Sequence, residues 1–158
     1  GHISWLRMRS THIQSVAPRP PQPDFLTGCA LLIPMRAIRE VGYFDERFFL
    51  YYEDVDFSIR AVGAGFKLCI AEKSQVNHKE VSQSNPQKTY FLVLSGLLFF
   101  YKHATCIQRL YFGIYVTIRR LKNWLDSLLF GGKEVLSVRN AYACFWRDSR
   151  SEIFNHHR

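Results

Sequence analysis

The stretch from Gly42 to Ala61, GYFDERFFLYYEDVDFSIRA, limits the fold more than any other part of the chain. Five carboxylates, Asp45, Glu46, Glu53, Asp54 and Asp56, fall within twelve residues and are interleaved with Phe44, Phe48, Phe49, Tyr51, Tyr52 and Phe57. The rings favour burial, whereas carboxylates resist leaving water unless they are paired or hydrogen-bonded. A helix that begins at the edge of a core satisfies both demands. Val55, Ile59 and Val62 recur at helical spacing with Phe57 and Ala61 beside them, and Gly63 and Gly65 supply a stop. The spacing predicts a helix from Glu53 or Asp54 to about Ala64. Acids in its first turn face the positive end of the helix dipole, which favours their ionised form. An ionised carboxylate held among rings can accept a proton from a hydroxyl. The same acids also read as plain helix caps, because acidic helix starts are common.

Upstream, Phe25 to Ile33 is a short, nearly continuous apolar run, the pattern of a strand covered on both faces. Gly28 interrupts it and marks a bulge or a close approach by a ligand or another backbone, or else plain packing. Met35 to Val41 reads as a short helix ended by Gly42. Before this lies a polar stretch, Ile3 to Ile13, that can form a strand, and a stiff connector, Ala17 to Pro23. Downstream, Phe66 to Ala71 reads as a second strand and Gln75 to His78 as a third. His78 stands at the end of that strand, where it reads either as a surface residue or as a metal ligand near the acidic cluster.

After Pro86 the character changes. Residues 1–85 hold ten Lys/Arg against nine Asp/Glu, while residues 86–158 hold eleven against four, so the net charge of +8 belongs almost wholly to the second part. Such a surface suits an anionic partner, and charge alone gives little support to nucleic acid, for which no motif is present. Tyr90 to Tyr101 and Leu110 to Ile118 are apolar runs broken by Lys102, Arg109, Arg119, Arg120 and Lys122. Each is shorter than the roughly twenty residues a membrane span needs. Two amphipathic helices fit, either covering a sheet or lying in a membrane interface. Val135 to Trp146 reads as a last helix. Cys29, Cys69, Cys106 and Cys144 form no CxxC pair, which excludes a zinc site of the usual spacing and points to buried thiols in a reducing, cytoplasmic setting.

Taken together, Asp24 to Pro34, Val41 to Phe49, Tyr52 to Arg60, Gly65 and His78 resemble the second half of family 2 glycosyltransferases, most of all bacterial rhamnosyltransferase-like enzymes of surface-polysaccharide synthesis. The resemblance covers about residues 24–105. It implies an α/β chain with a partial GT-A-like mixed sheet flanked by helices, followed by amphipathic helices. The implied layout is a leader and connector over 1–23, the acceptor-side half over 24–85 and a basic helical region over 86–158. It makes Asp54 the general base with Glu53 beside it. Gly28, Cys29, Tyr51, Tyr52 and Arg60 become substrate-binding residues, and His78 becomes a ligand to a divalent cation, magnesium or manganese. The implied partners are a nucleotide-sugar donor, a saccharide or lipid-linked acceptor, and the inner face of the cell membrane. Three departures qualify it. Ser95-Gly96 stands where an Arg-Asn pair is common, the loop from Lys79 to Ser84 lacks the glycine that relatives often carry, and the single Asp-x-Asp, Asp54-Val-Asp56, lies in the acceptor-side helix. The resemblance therefore implies that the donor-binding half lies elsewhere. The alternative reading is a non-catalytic module that binds membrane or glycan.

Overall fold

The computed structural model describes residues 1–12, 22–71, 73, 74, 76, 77, 79, 85–129 and 131–151. They fall into two compact units: Gly1–Phe48 with Tyr52–Ser82, and Phe49–Tyr51 with Gln83–Arg158. The protein is mixed α/β and mostly helical, and its one sheet among the described residues has two strands.

In the first unit the polar opening stretch folds back on itself. Strands β1 (His2–Ser4) and β2 (Arg9–Thr11) pair antiparallel with Ile3 opposite Ser10, and the turn between them sets Met8 at a positive φ of 46°. Asp24 fastens this hairpin to the next segment: its Oδ2 accepts the Ile3 N–H at 2.8 Å. Helix α1 (Met35–Val41) ends at Gly42, whose φ of 87° suits glycine and whose N–H donates to the Ile38 carbonyl. Helix α2 (Glu53–Gly63) ends in a Schellman motif. There Phe66 N–H donates to Ala61 O and Gly65 N–H to Val62 O, with Gly65 at φ 88°. Both helices start and stop where the sequence places them.

The strands expected at Phe25–Ile33 and Phe66–Ala71 are not present among the described residues. Instead, Gly28–Ala30 forms one turn of 3-10 helix, and Leu31 is extended (φ −122°, ψ 121°) without a ladder partner. A strand exists only where a neighbour offers its N–H and C=O groups, and among the described residues none lies alongside. The apolar run is consequently not covered on both faces, and Leu32 is 96% exposed. Of the third expected strand, Val76 and Asn77 are not in a ladder, while Gln75 and His78 lie outside the described residues.

Burial along α2 follows depth rather than one face. Val55, Asp56, Phe57 and Ser58 make a full turn and are all buried, whereas Val62 in the last turn is half exposed. The expected apolar face of Val55, Ile59 and Val62 is therefore corrected at its C-terminal end.

The second unit holds α3 (Pro86–His103), α4 (Cys106–Leu129) and α5 (Lys133–Ser151). Asn85 caps α3 by accepting the Gln87 N–H, with Pro86 at the first helical position. Thr105 and Gln108 form a reciprocal capping box that starts α4: Gln108 Oε1 accepts the Thr105 N–H at 2.9 Å and Thr105 Oγ1 accepts the Gln108 N–H at 3.4 Å. Tyr101, Phe112 and Phe145 bring one ring from each helix to a common centre, with centroids about 6 Å apart. Phe99, Phe100, Val116 and Ala141 fill the space around it. Burying each large apolar side chain contributes about 1.5–3 kcal/mol. Ser95 Oγ donates to Leu50 O at 2.8 Å and Phe91 stacks on Phe49, so Phe49–Tyr51 belongs to this unit.

The thiols differ from expectation. Cys29, Cys69 and Cys106 are exposed, and only Cys144 is partly covered. Cys29 sits in the 3-10 turn and Cys69 in the unpaired Phe66–Ala71 segment, both places that the expected strands would have enclosed, while Cys106 is the first residue of α4.

Candidate functional site

Tyr51 and Tyr52 both adopt left-handed backbone, each with φ of 68°. For a bulky residue this conformation costs on the order of 1–3 kcal/mol and persists only where the surroundings impose it. Tyr52 is held by burial and by its hydroxyl, which accepts the Ser10 N–H of β2 at 3.2 Å. Tyr52 is also the N-cap of α2 and offers no side-chain cap. The first-turn N–H groups of α2 are thus left to its own acids.

Asp54 takes one of them. Its Oδ1 accepts the Val55 N–H at 2.8 Å, and its Oδ2 accepts the Gly28 N–H at 2.8 Å from across the unit. One turn on, Ser58 Oγ accepts the Leu26 N–H at 3.2 Å. The spacing explains this pairing. Positions i and i+4 on a helix are about 6 Å apart along its axis, and alternate residues of an extended segment are about 6.6 Å apart. Asp54 and Ser58 therefore match Leu26 and Gly28, and α2 side chains satisfy the backbone donors that a neighbouring strand would otherwise take. A Cβ placed on Gly28 would lie 3.5 Å from Asp54 Cβ. The close approach marked by Gly28 is made by a carboxylate.

Asp54 is half-buried and flanks the exposed Gly28 and Cys29, so it stays open to solvent on that side. Each carboxylate oxygen has two lone pairs, and one backbone N–H on each leaves capacity for a hydroxyl. Glu53 differs. Its Oε2 is buried with no hydrogen-bond partner, and burial, aided by the charge of Asp54, pushes its carboxyl above the usual range against its own backbone hydrogen bond. For Glu53, desolvation thus outweighs the helix dipole that was expected to keep it ionised.

Arg60 is turned to another task. Its Nε donates to Asp56 Oδ2 at 2.8 Å, Nη1 to Val41 O at 2.8 Å and Nη2 to Tyr43 O at 2.9 Å. It joins α2 to the end of α1 and neutralises Asp56, which is fully buried. The structure lends no support to the expected substrate contact of Arg60. Tyr51 lies in the second unit and Tyr52 in the core of the first. His78 lies outside the described residues. Among the described residues no group of three His, Cys, Asp or Glu side chains converges on a metal position. The structure thus brings together Asp54 and Gly28, with Glu53 and Cys29 next to them in the chain.

Ser58 and Asp24 were not anticipated. The i, i+4 spacing of Asp54 and Ser58 on one helical strip was a readable signal for Ser58. Asp24 carries no such signal, since its partner is twenty-one residues earlier in the chain.

The model of the family described as glycosyl transferase family group 2 matches residues 3–147, most of the chain. The chain belongs to this family. It is also similar, at 41% identity over 54 residues, to an N-acetylglucosaminyl-diphospho-decaprenol L-rhamnosyltransferase of Mycobacterium tuberculosis, represented by strains CDC 1551 / Oshkosh and H37Rv. That match covers 34% of this chain and 18% of the relative. No solved structure matches the chain. Membership of the glycosyl transferase group agrees with the resemblance carried by the motifs around Asp54.

Proposed function

We propose that this chain forms the acceptor side of an inverting, GT-A-like glycosyltransferase, with Asp54 as general base. The observation that carries the reading is the Asp54 carboxylate at the first turn of α2, fixed by the Gly28 and Val55 N–H groups and open on the side of Gly28. In the reaction, Asp54 takes the proton of an acceptor hydroxyl as its oxygen bonds to the anomeric carbon. The bond from that carbon to the nucleoside diphosphate breaks, the diphosphate leaves with the electron pair, and the anomeric configuration inverts. Glu53 stands beside Asp54 in the first turn of the same helix.

The donor is a nucleotide sugar, and the acceptor is a saccharide or lipid-linked glycan of cell-surface polysaccharide synthesis, handled at the cytoplasmic face of the membrane. The similar mycobacterial rhamnosyltransferase supports the lipid-linked choice. A donor-binding half completes the site. The magnesium or manganese implied by the family is assigned to His78 and that half. The described residues provide no three-ligand set for the ion, and no step above is routed through it.

The test is reconstitution with a donor-binding half, followed by Asp54→Asn. Asparagine keeps the acceptor oxygen for Gly28 and loses the base. The expected loss in kcat is about 10²–10⁴-fold, the usual contribution of a general base, with the fold intact. Full activity in Asp54→Asn rejects the assignment.

A further inference from the structure

We infer that α4 is an interfacial helix that seats the second unit on an anionic phospholipid surface, with its apolar stripe in the acyl boundary and the arginines beside it on lipid phosphates. Ile107, Leu110, Ile114, Ile118, Leu121 and Leu125 follow steps of three and four residues, which places them on one strip of the helix. All are 45–83% exposed, although each is a large aliphatic side chain. The opposite strip, with Phe112 and Val116, is the one buried against the rest of the unit. A helix of 24 residues makes this stripe about 36 Å long. Scattered exposed apolar residues need no explanation, but a continuous row of this length does.

Charge decides between occupants. A shallow groove along one edge of the stripe is lined by Arg120, Arg139 and Tyr142, and shares Leu121 and Trp124 with it. A second groove sets Arg109 beside Leu110, Ile114 and Ile118. Both grooves place guanidinium groups next to apolar side chains, the arrangement of a phosphate above an acyl chain. Trp124 is half exposed at the boundary, where an indole suits a headgroup region. A second copy docked stripe to stripe would instead bring together two surfaces from a region with eleven Lys/Arg and four Asp/Glu. Among the described residues no helix is long and apolar enough to cross a membrane. Arg119, Arg120, Lys122 and Asp126 within α4 keep it on the surface.

The experiment is co-sedimentation of the full chain with vesicles of phosphatidylcholine alone, or of phosphatidylcholine with one quarter phosphatidylglycerol. Binding is expected to the anionic vesicles, weakening as salt rises, with little to the neutral ones. Ile114→Asp with Ile118→Asp should abolish it while far-UV circular dichroism stays unchanged, since both side chains already face solvent. Arg120→Gln with Arg139→Gln should weaken it roughly 25-fold, from about fivefold per cation near an anionic surface. The inference is overturned if the unaltered chain ignores anionic vesicles, or binds neutral ones equally well. It is also overturned if the double aspartate variant sediments as before, or if the chain is a dimer in solution that this variant dissolves.

Discussion

Arg60→Ala separates a clamp from a substrate contact. In the structure the side chain makes three hydrogen bonds to protein groups, and its partner Asp56 is 0% exposed. Removing the cation takes the Arg60 counter-charge from a buried carboxylate, a loss of about 3–5 kcal/mol. The Val41 and Tyr43 carbonyls lie nearer the surface and can turn to water, so each adds at most about 1 kcal/mol. The expected total is roughly 4–6 kcal/mol, comparable to the whole stability of a small domain. With a urea slope near 2 kcal/mol/M, the midpoint falls by about 2–3 M. Trp5 reports on the first unit when Trp124 and Trp146, both in the second, are replaced by Phe. Urea unfolding of Arg60→Ala, Asp56→Ala and the double variant gives the coupling, which should exceed about 2 kcal/mol because the pair is in direct contact. A loss under about 1 kcal/mol, the range of an exposed ion pair, would refute the clamp. If the stable variant then bound acceptor weakly, the substrate role expected from the motif would be restored.

Three further outcomes can be measured, two from the geometry of α2 and one from the family resemblance. Gly28→Ala should leave stability within about 0.5 kcal/mol, because the new methyl meets Asp54 at an ordinary 3.5 Å contact. It should raise the acceptor KM at least roughly tenfold in the reconstituted enzyme; unchanged KM places the acceptor elsewhere. Glu53 holds its proton more tightly folded than unfolded. Its contribution is therefore full below the unfolded value, about 4.3, and is lost as pH rises through the folded value. Urea midpoints of the unaltered chain should then fall relative to Glu53→Gln from about pH 4 upward, and a constant difference counts against the desolvated carboxyl. Chelation by EDTA should abolish transfer in the reconstituted enzyme, with His78→Ala raising the magnesium or manganese needed to restore it; activity that survives EDTA removes the cation from the reaction.

The helices were legible because their signals are local. Gly42 and Gly65 stop α1 and α2 through a single backbone conformation, and Asn85-Pro86 starts α3 within three residues. The apolar run Leu110 to Ile118 marks only part of α4, since Arg119, Arg120 and Lys122 interrupt it. In fact those charges occupy the faces beside the apolar stripe, and the helix runs on to Leu129. The strands failed for the opposite reason. Phe25–Ile33 and Phe66–Ala71 have strand composition, but a ladder needs a partner that composition cannot name. Leu32, inside a nearly continuous apolar run, ends almost wholly in solvent.

At the site, sequence identified the carboxylate and missed what holds it. Asp54 was readable from its place in a ring-rich acidic run. Its role depends equally on Ser58, because the two side chains together fix the register of Leu26 to Gly28 against α2. A shift of one residue would set Gly28 against the wrong side chain and turn the carboxylate out of its backbone cradle. The clamp of Arg60 on Asp56, Val41 and Tyr43 fixes the same helix from its other side. Helix α2 is thereby held at two sites, one on each neighbouring segment, and Asp54 sits at the end where the chain enters through strained backbone. The polar groups around it serve orientation first, which is what the base proposed above would need before its proton affinity matters.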